Sequence, residues 1–392
     1  MVHFEYYTPT RVVFGPDAED KTGELIKALN AKKVLLHYGG GSALVSGLMD
    51  KVCDSLDRSG IEYLALGGVV PNPRLSLVRE GISLCKKEGI DFILAIGGGS
   101  VIDSAKAIAY GAYVDFDVWD FYSRKAQATK CLPIGCVLTI AAAGSEMSWS
   151  SVITNEVTGE KRGYSNDLCR CQFAMMNPKW TLSTPAYSTA CGCVDILMHT
   201  MERYFGSGES LELTDEISEA LMRTVIRAAR AVHANPKDEI ARAELMWASS
   251  LSHNGLMDGG RRGDWSCHQL EHELSGRFDV AHGAGLAAIW SAWARYVCQN
   301  DLSRFARFAI QVMDVEPHDM DIPEIVAEGI LNMESFFESI GMPTSLTALG
   351  IEVTENLFDE LADDCSFQGT RNIGSFRQLT KEDMSTIYRL AW

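Results

Sequence analysis

Between residues 33 and 137, short apolar runs alternate with glycine turns and helix-length stretches. This rhythm restricts the fold more than any other feature of the chain. Lys33-Val34-Leu35-Leu36-His37-Tyr38 stops at Gly39-Gly40-Gly41-Ser42, and Tyr63-Leu64-Ala65-Leu66 stops at Gly67-Gly68. Phe92-Ile93-Leu94-Ala95-Ile96 stops at Gly97-Gly98-Gly99-Ser100, and the run 132–137 follows. Each run is strand-sized and apolar on both faces, as strands of a parallel sheet covered by helices must be. The stretches 43–59 and 74–88 carry apolar residues at three- and four-residue spacing and predict the covering helices. The alternation predicts a doubly wound α/β domain. The loop Val69-Val70-Pro71-Asn72-Pro73 is stiffened by prolines, which also restrict the residues before them.

The rhythm changes at Thr184-Pro185, a helix cap followed by proline at the first helical position. Beyond it the pattern predicts only helices, over 186–205, 211–234, 238–256, 265–275, 283–299, 301–312, 322–340 and 354–364, with Pro236 and Pro343 as loop punctuation. A chain of 392 residues is long for one domain. Two are expected: an α/β nucleotide-binding domain over 1–184 and an all-helical domain over 185–392.

Thirty-five basic against 52 acidic residues give a net charge of −17, which repels nucleic acid and anionic lipid. No apolar run approaches the ~18 residues that a membrane span needs. The opening MVHFEYYTPTRVVFG lacks the form of a signal peptide. The eleven cysteines are odd in number and contain no C-x-x-C pair. They predict buried, reduced thiols and a cytoplasmic protein.

A strand closing on Gly97-Gly98-Gly99-Ser100, with a helix from Val101, suits a phosphate: glycines admit the anion and a helix start offers N–H groups. The same turn also serves as a plain strand–helix connection. The Gly39–Ser42 turn has no carboxylate where nucleotide-binding sheets often hold a ribose hydroxyl. Gly39, Gly40 and Ser42 therefore leave room for a 2′-phosphate, and NADP(H) is expected over NAD(H).

In the helical half, Asp195 and His199 stand four apart, as do His268 and His272, and His282 opens a further helix. Residues four apart share one helical face, so each pair can chelate. Five such groups exceed what one site needs. Three histidines and one aspartate suit Fe(II), Zn(II) or Ni(II). His37, His233, His253 and His318 are expected to be ordinary core histidines. The stretch His268-Gln269-Leu270-Glu271-His272 also fits the H-x-x-E-H signature of a metallohydrolase, with Glu338 as a possible distant ligand. That alternative leaves Asp195, His199, His282 and both glycine turns without a role.

The stretches GGGSVIDSAKAIA (97–109), VDILMHTMERYF (194–205), MWASSLSHNGL (246–256), GDWSCHQLEHELSG (263–276) and DVAHGAGLAAIW (279–290) resemble the iron-containing, or group III, alcohol dehydrogenases. TPTRVVFG near the start and VVPNP fit the same family, and the GGGS turn at 39–42 is similar to its NADPH-dependent butanol dehydrogenase and aldehyde reductase branch. The resemblance implies a dehydroquinate synthase-like architecture, with one divalent metal in a cleft between a Rossmann-like domain and a helical one. It implies Asp195, His199, His268 and His282 as ligands and His272 as a histidine near metal and nicotinamide. It places the pyrophosphate on Gly97, Gly98, Gly99 and Ser100, and adds Asn72, Asp103, Thr139, Ser145 and Lys161 to the nucleotide site. The implied substrates are small alcohols and aldehydes such as butanol and butyraldehyde, and the implied assembly is a homodimer or larger. Glycerol or another polyol, with NAD(H), is the nearest rival chemistry within the superfamily. A nucleotide sensor would have no need of the metal set. The chain departs from the family at Ala143, where Thr is frequent, and at Trp149, where a smaller residue is usual; if Trp149 faces the cleft, it narrows the substrate pocket.

Overall fold

The computed structural model describes residues 2–209, 211–354 and 356–392. The chain forms two compact units. One comprises Tyr7–Thr184 with Ser249–Asn254; the other comprises the N-terminal segment through Tyr6, Pro185–Ala248 and Gly255–Trp392.

In the first unit the elements are β1 (Arg11–Phe14), α1 (Thr22–Ala28), β2 (Lys33–Tyr38), α2 (Ser42–Val45), α3 (Leu48–Ser59), β3 (Glu62–Leu66), α4 (Leu75–Glu88), β4 (Phe92–Gly97) and α5 (Gly99–Gly111). There follow α6 (Trp119–Tyr122), β5 (Ile134–Leu138), the antiparallel hairpin β6 (Ser150–Asn155) and β7 (Glu160–Ser165), and β8 (Phe173–Met176). Six strands make a parallel sheet in the order β1-β8-β5-β4-β2-β3. All six residues of β4 are buried, which explains its unbroken apolar run. The order reverses between β2 and β4. At such a reversal the two following helices leave to opposite faces, opening a crevice beyond the strand ends. The Gly39 and Gly97 turns stand at those two ends.

The expected helix 43–59 is two helices, because Gly47 takes φ 78° between α2 and α3. The helix after β4 begins at Gly99 instead of Val101. Strands β1, β6, β7 and β8 were not foreseen. β1 and β8 are four residues each, too short for a period-two pattern, and β7 (EKRGYS) is mostly polar.

In the second unit the helices are α7 (Ala186–Tyr204), α8 (Glu212–Ala234), α9 (Glu239–Ser252, whose last turn from Ser249 is counted with the first unit), α10 (Ser266–Phe278), α11 (His282–Val297), α12 (Leu302–Gln311), α13 (Ile322–Ser339), α14 (Leu357–Cys365) and α15 (Lys381–Leu390). The run expected to reach 256 ends at Ser252, shortly before Gly255 at φ 95°. α15, absent from the sequence reading, is fixed by a capping box between Thr380 and Asp383. Two histidines expected in the core are not there: His233 and His318 are exposed. Among the described residues, every cysteine is a free thiol, and no helix is long and apolar enough to cross a membrane.

Candidate active site

The helical unit gathers Asp195 with three histidines. α7 carries Asp195 and His199 on one face, each about 4% exposed. Asp195 Oδ1 lies 3.3 Å from His199 Nδ1, 3.6 Å from His268 Nε2 on α10 and 3.7 Å from His282 Nε2 at the start of α11. Ligand atoms of Asp195, His268 and His282 all fall within 4.8 Å of one another. The His199 ring packs 4.6 Å from that of His268.

Two details fit this cluster to a cation. Asp195 Oδ1 and His268 Nε2 are buried and have no hydrogen-bond partner among the described residues, a costly arrangement that a metal would relieve. The far nitrogens of two histidines are also held: His268 Nδ1 by Glu202, and His282 Nδ1 by Glu271. Carboxylates in that position fix the tautomer and turn the other nitrogen toward a metal. Burial opposes a charge on His268, but the carboxylates of Glu202 and Asp195 outweigh it and raise its pKa to about 9.

Local sequence explains the convergence. A Cβ on Gly283 would stand 2.1 Å from the Cys191 carbonyl oxygen, one turn before Asp195. Only glycine lets α11 start this close to α7. Gly285 similarly leaves room for Glu271, whose Oε1 would be 2.9 Å from a Cβ there. Glu271 thus sits by the N-terminal end of α11, where a carboxylate is favoured. Trp265, with φ 62°, starts α10 and lies edge-on to both His199 and His268. The guanidinium of Arg203 lies 4.6 Å over the Trp265 ring, and its Nη1 donates to the His199 carbonyl at 2.8 Å. Glu202 was missed in the sequence, although Asp195, His199 and Glu202 at i, i+4 and i+7 mark one helical face.

His272 is half-buried, and its ring lies 5.8 Å from that of His282. It groups with Glu271 and His282, whereas His268 groups with Asp195 and His282. The H-x-x-E-H motif is thereby divided between two clusters. Glu271 hydrogen-bonds His282 and Ser275, and Glu338 lies exposed beside Thr344. Nothing in this arrangement favours the hydrolase.

In the α/β unit, the ends of the adjacent strands β2, β4 and β5 bring Gly39, Gly97 and Thr139 to one edge of the sheet. Thr139 N donates to Gly97 O at 3.1 Å, and Gly68 N donates to Gly39 O at 3.1 Å. Gly98 stands at the N-cap of α5 and brings no side-chain acceptor to the first N–H groups of that helix. A Cβ on Gly99 would lie 2.9 Å from the Cβ of Ala143. Gly40 and Ser42 are exposed at the β2 turn. Asn72, with φ 54°, is buried in the 69–73 loop. That loop is tied by Pro73 O to Thr154 N at 2.9 Å, and Thr154 pairs with the buried Lys161. Ser145 donates to Asp103 on α5 at 2.5 Å.

Ser249–Asn254, distant in sequence, brace the same region. Ser249 Oγ accepts from the backbone of Ala142 and Gly144, and Ser250 donates to Glu146 at 2.6 Å. His253 Nδ1 donates to the Ala143 carbonyl at 3.0 Å. Trp149 is half-buried, its ring between the guanidinium of Arg170 at 4.6 Å and the His253 ring at 6.2 Å.

Comparison with known proteins agrees with both halves. Residues 9–178 match the family model for iron-containing alcohol dehydrogenase, and residues 189–392 match that for the C-terminal domain of the Fe-containing alcohol dehydrogenase family. The chain is 39% identical to NADH-dependent butanol dehydrogenase A of Clostridium acetobutylicum over the full length of both. It is 30% identical, again over both full lengths, to the NADPH-dependent aldehyde reductase YqhD of Escherichia coli. The crystal structure of NADH-dependent butanol dehydrogenase A from Thermotoga maritima superposes with a TM-score of 0.95 at 39% identity, covering 100% of this chain and 99% of that one. An aspartate with three histidines on one unit, glycine turns at a sheet reversal on the other, and these full-length matches have one common explanation: the chain belongs to the iron-containing alcohol dehydrogenase family and is an NAD(P)-dependent oxidoreductase.

Proposed function

We propose that the protein interconverts short- to medium-chain primary alcohols and aldehydes, butanol and butyraldehyde among them, with NADP(H) preferred over NAD(H). The observation that carries the reaction is the buried Asp195 Oδ1 with three histidine rings turned toward it and no hydrogen-bond donor assigned to it. Butanol is supported by the names of the relatives at 39% identity. The nucleotide preference rests on the Gly39–Ser42 turn, which carries no carboxylate. The relatives at 39% are named NADH-dependent and the one at 30% NADPH-dependent, so the nucleotide is the first thing to test.

Asp195, His199, His268 and His282 would hold a divalent metal, iron or else zinc or nickel. When bound, that metal supplies Lewis-acid polarisation of the carbonyl or hydroxyl oxygen, while the nicotinamide carries the hydride. The protein's own groups do the rest. Glu202 and Glu271 fix the two histidine rings they touch. Gly97, Gly98, Gly99 and Ser100 would receive the pyrophosphate at the start of α5. Gly39, Gly40 and Ser42 would receive the adenosine end, and Asn72, Asp103, Thr139, Ser145 and Lys161 the remainder of the nucleotide. His272, beside His282 but in a separate cluster, would give a proton to the nascent alkoxide through its imidazole and take it back in the reverse direction. The free thiols favour a cytoplasmic, reducing setting, and a homodimer or larger assembly is part of the same proposal.

The test is an anaerobic preparation loaded separately with Fe(II) or Zn(II), with nicotinamide absorbance followed in the presence of butyraldehyde. Metal-dependent oxidation that is faster with NADPH is expected. Faster oxidation with NADH would keep the enzyme and overturn the account of the Gly39–Ser42 turn. No oxidation of either nucleotide with several aldehydes and metal bound would overturn the proposed reaction.

A further inference from the structure

Lys106 lies on α5 two turns beyond the Gly97–Ser100 turn and is completely buried. Its ammonium faces five oxygens: the Ser145 carbonyl at 2.8 Å and hydroxyl at 3.1 Å, the Ser148 carbonyl and hydroxyl at 3.1 Å, and the Ser150 carbonyl at 2.8 Å. An ammonium has three protons, so five acceptors more than satisfy it. None of the five is a carboxylate, and all belong to three serines, two in the loop that leads into β6 and the third that strand's first residue. A side chain needed only to fill this space would be apolar, since burying a cation is costly unless it is fully hydrogen-bonded. What the cation does here is draw three backbone carbonyls and two hydroxyls onto a single point.

Asp103 sits one helical turn earlier and holds the same loop with the opposite charge. Its Oδ1 accepts from Ser145 Oγ at 2.5 Å and its Oδ2 from Val152 N at 2.9 Å. Ser145 Oγ therefore stands between a carboxylate that accepts from it and an ammonium 3.1 Å away. The residues just before it reach the phosphate turn, where Ala143 would meet any Cβ on Gly99. One helix thus carries the proposed pyrophosphate site at its start and the clamp on the neighbouring loop at its middle.

We propose that Lys106 is a positioning residue for the nicotinamide nucleotide: it folds the Ser145–Ser150 loop onto α5 so that Ser145 and Asp103 meet the nucleotide preformed. This rests on the nucleotide site proposed above. The lysine itself touches no nucleotide; its effect travels through the loop. Loss of the clamp should weaken nucleotide binding and leave the metal cluster untouched, because Asp195, His199, His268 and His282 belong to the other unit.

The experiment compares the full-length wild type with Lys106→Met and Ser148→Ala. NADPH and NADH binding is followed by nucleotide fluorescence, alongside metal content, thermal midpoint, KM and kcat. For Lys106→Met we expect nucleotide binding weakened ~10-fold or more, as loss of charge-assisted hydrogen bonds in a buried site implies. KM for nucleotide should rise in step, kcat at saturating nucleotide should stay within about threefold, and metal content should not change. Ser148→Ala keeps the lysine and the Ser145–Asp103 bond, and should weaken nucleotide binding about threefold with little change in thermal midpoint. Should Lys106→Met fail to fold, Ser148→Ala decides alone. Wild-type nucleotide affinity in a folded Lys106→Met, or in Ser148→Ala where that variant alone is available, overturns the proposal. So does a fall in kcat with KM unchanged. A wild type that binds neither nucleotide would overturn the functional assignment beneath it, and the proposal with it.

Discussion

His268 is held from both sides: Nδ1 hydrogen-bonds Glu202, itself buried, and Nε2 points at Asp195 Oδ1 from 3.6 Å. The two residues come from different helices, α10 and α7, so Glu202 sets the orientation of a ring that its own helix does not carry. Replacing it by Gln keeps the shape and removes the charge. Glu202→Gln is expected to weaken metal binding about 10- to 100-fold, with His268→Ala losing metal and activity together. Metal retention against a graded chelator series measures both. A Glu202→Gln protein that holds metal as tightly as the wild type would remove the carboxylate from the site.

His272 lies beside His282 but not within the Asp195 group. A proton donor in that place has a different signature from a ligand. His272→Ala should keep a full complement of metal and lose ~100-fold in rate, the low end for general acid catalysis, with a changed pH–rate profile. Metal analysis and steady-state rates from pH 6 to 9 decide the matter. Normal rates across that range would end the proposed role.

His37 gives a stability prediction with a definite sign. Burial pushes its pKa down to about 4, against which its hydrogen bond to the Leu66 carbonyl works only weakly; Ser104 takes the other ring nitrogen. The unfolded chain has an ordinary histidine near pH 6.5. As pH falls from 6.5 to 4, the unfolded state takes the proton first, and stability drops through that window by about 3 kcal/mol. Asp264, also buried, is raised to about 6 and acts in the opposite direction over the same range, so the wild-type curve alone would mix the two. Denaturant midpoints of the wild type and His37→Gln, compared at each pH, separate them. The wild type should lose stability relative to the variant on acidification; a constant difference would contradict the shift.

What could be read in the sequence follows from how far each signal reaches. Asp195 with His199, and the glycine turns after β2 and β4, are local patterns, set by a helical period or by the space a turn needs. The resemblance then joined His268 and His282 to the first pair. Glu202, Trp265 and Arg203 went unnoticed because each matters through a partner on another helix or loop, and sequence spacing gives no such distance. The Ser249–Asn254 brace on the 142–146 loop is the clearest case, since more than a hundred residues separate its two sides. β7 failed for another reason: its charged face gives a hairpin strand too little apolar character to be read as a strand.

Gly283 tests whether helix approach builds the proposed metal cluster. Its hypothetical Cβ meets the Cys191 carbonyl oxygen at 2.1 Å and the Cys191 Cα at 2.6 Å. These are backbone atoms of α7, so no side-chain rotation relieves the clash. Gly283→Ala must push α11 from α7, and His282, the residue just before, moves with it away from Asp195. The expected cost is about 1–3 kcal/mol of stability, as for other overpacked interiors, together with a loss of metal affinity greater than stability alone explains. Gly163→Ala serves as the control, because the nearest atom to its Cβ is 3.7 Å away. Calorimetry and metal titration of both variants give the answer. If Gly283→Ala were less stable yet bound metal as the wild type does, the cluster would be held by its own side chains and carboxylate partners, and the close approach of the two helices would serve packing alone.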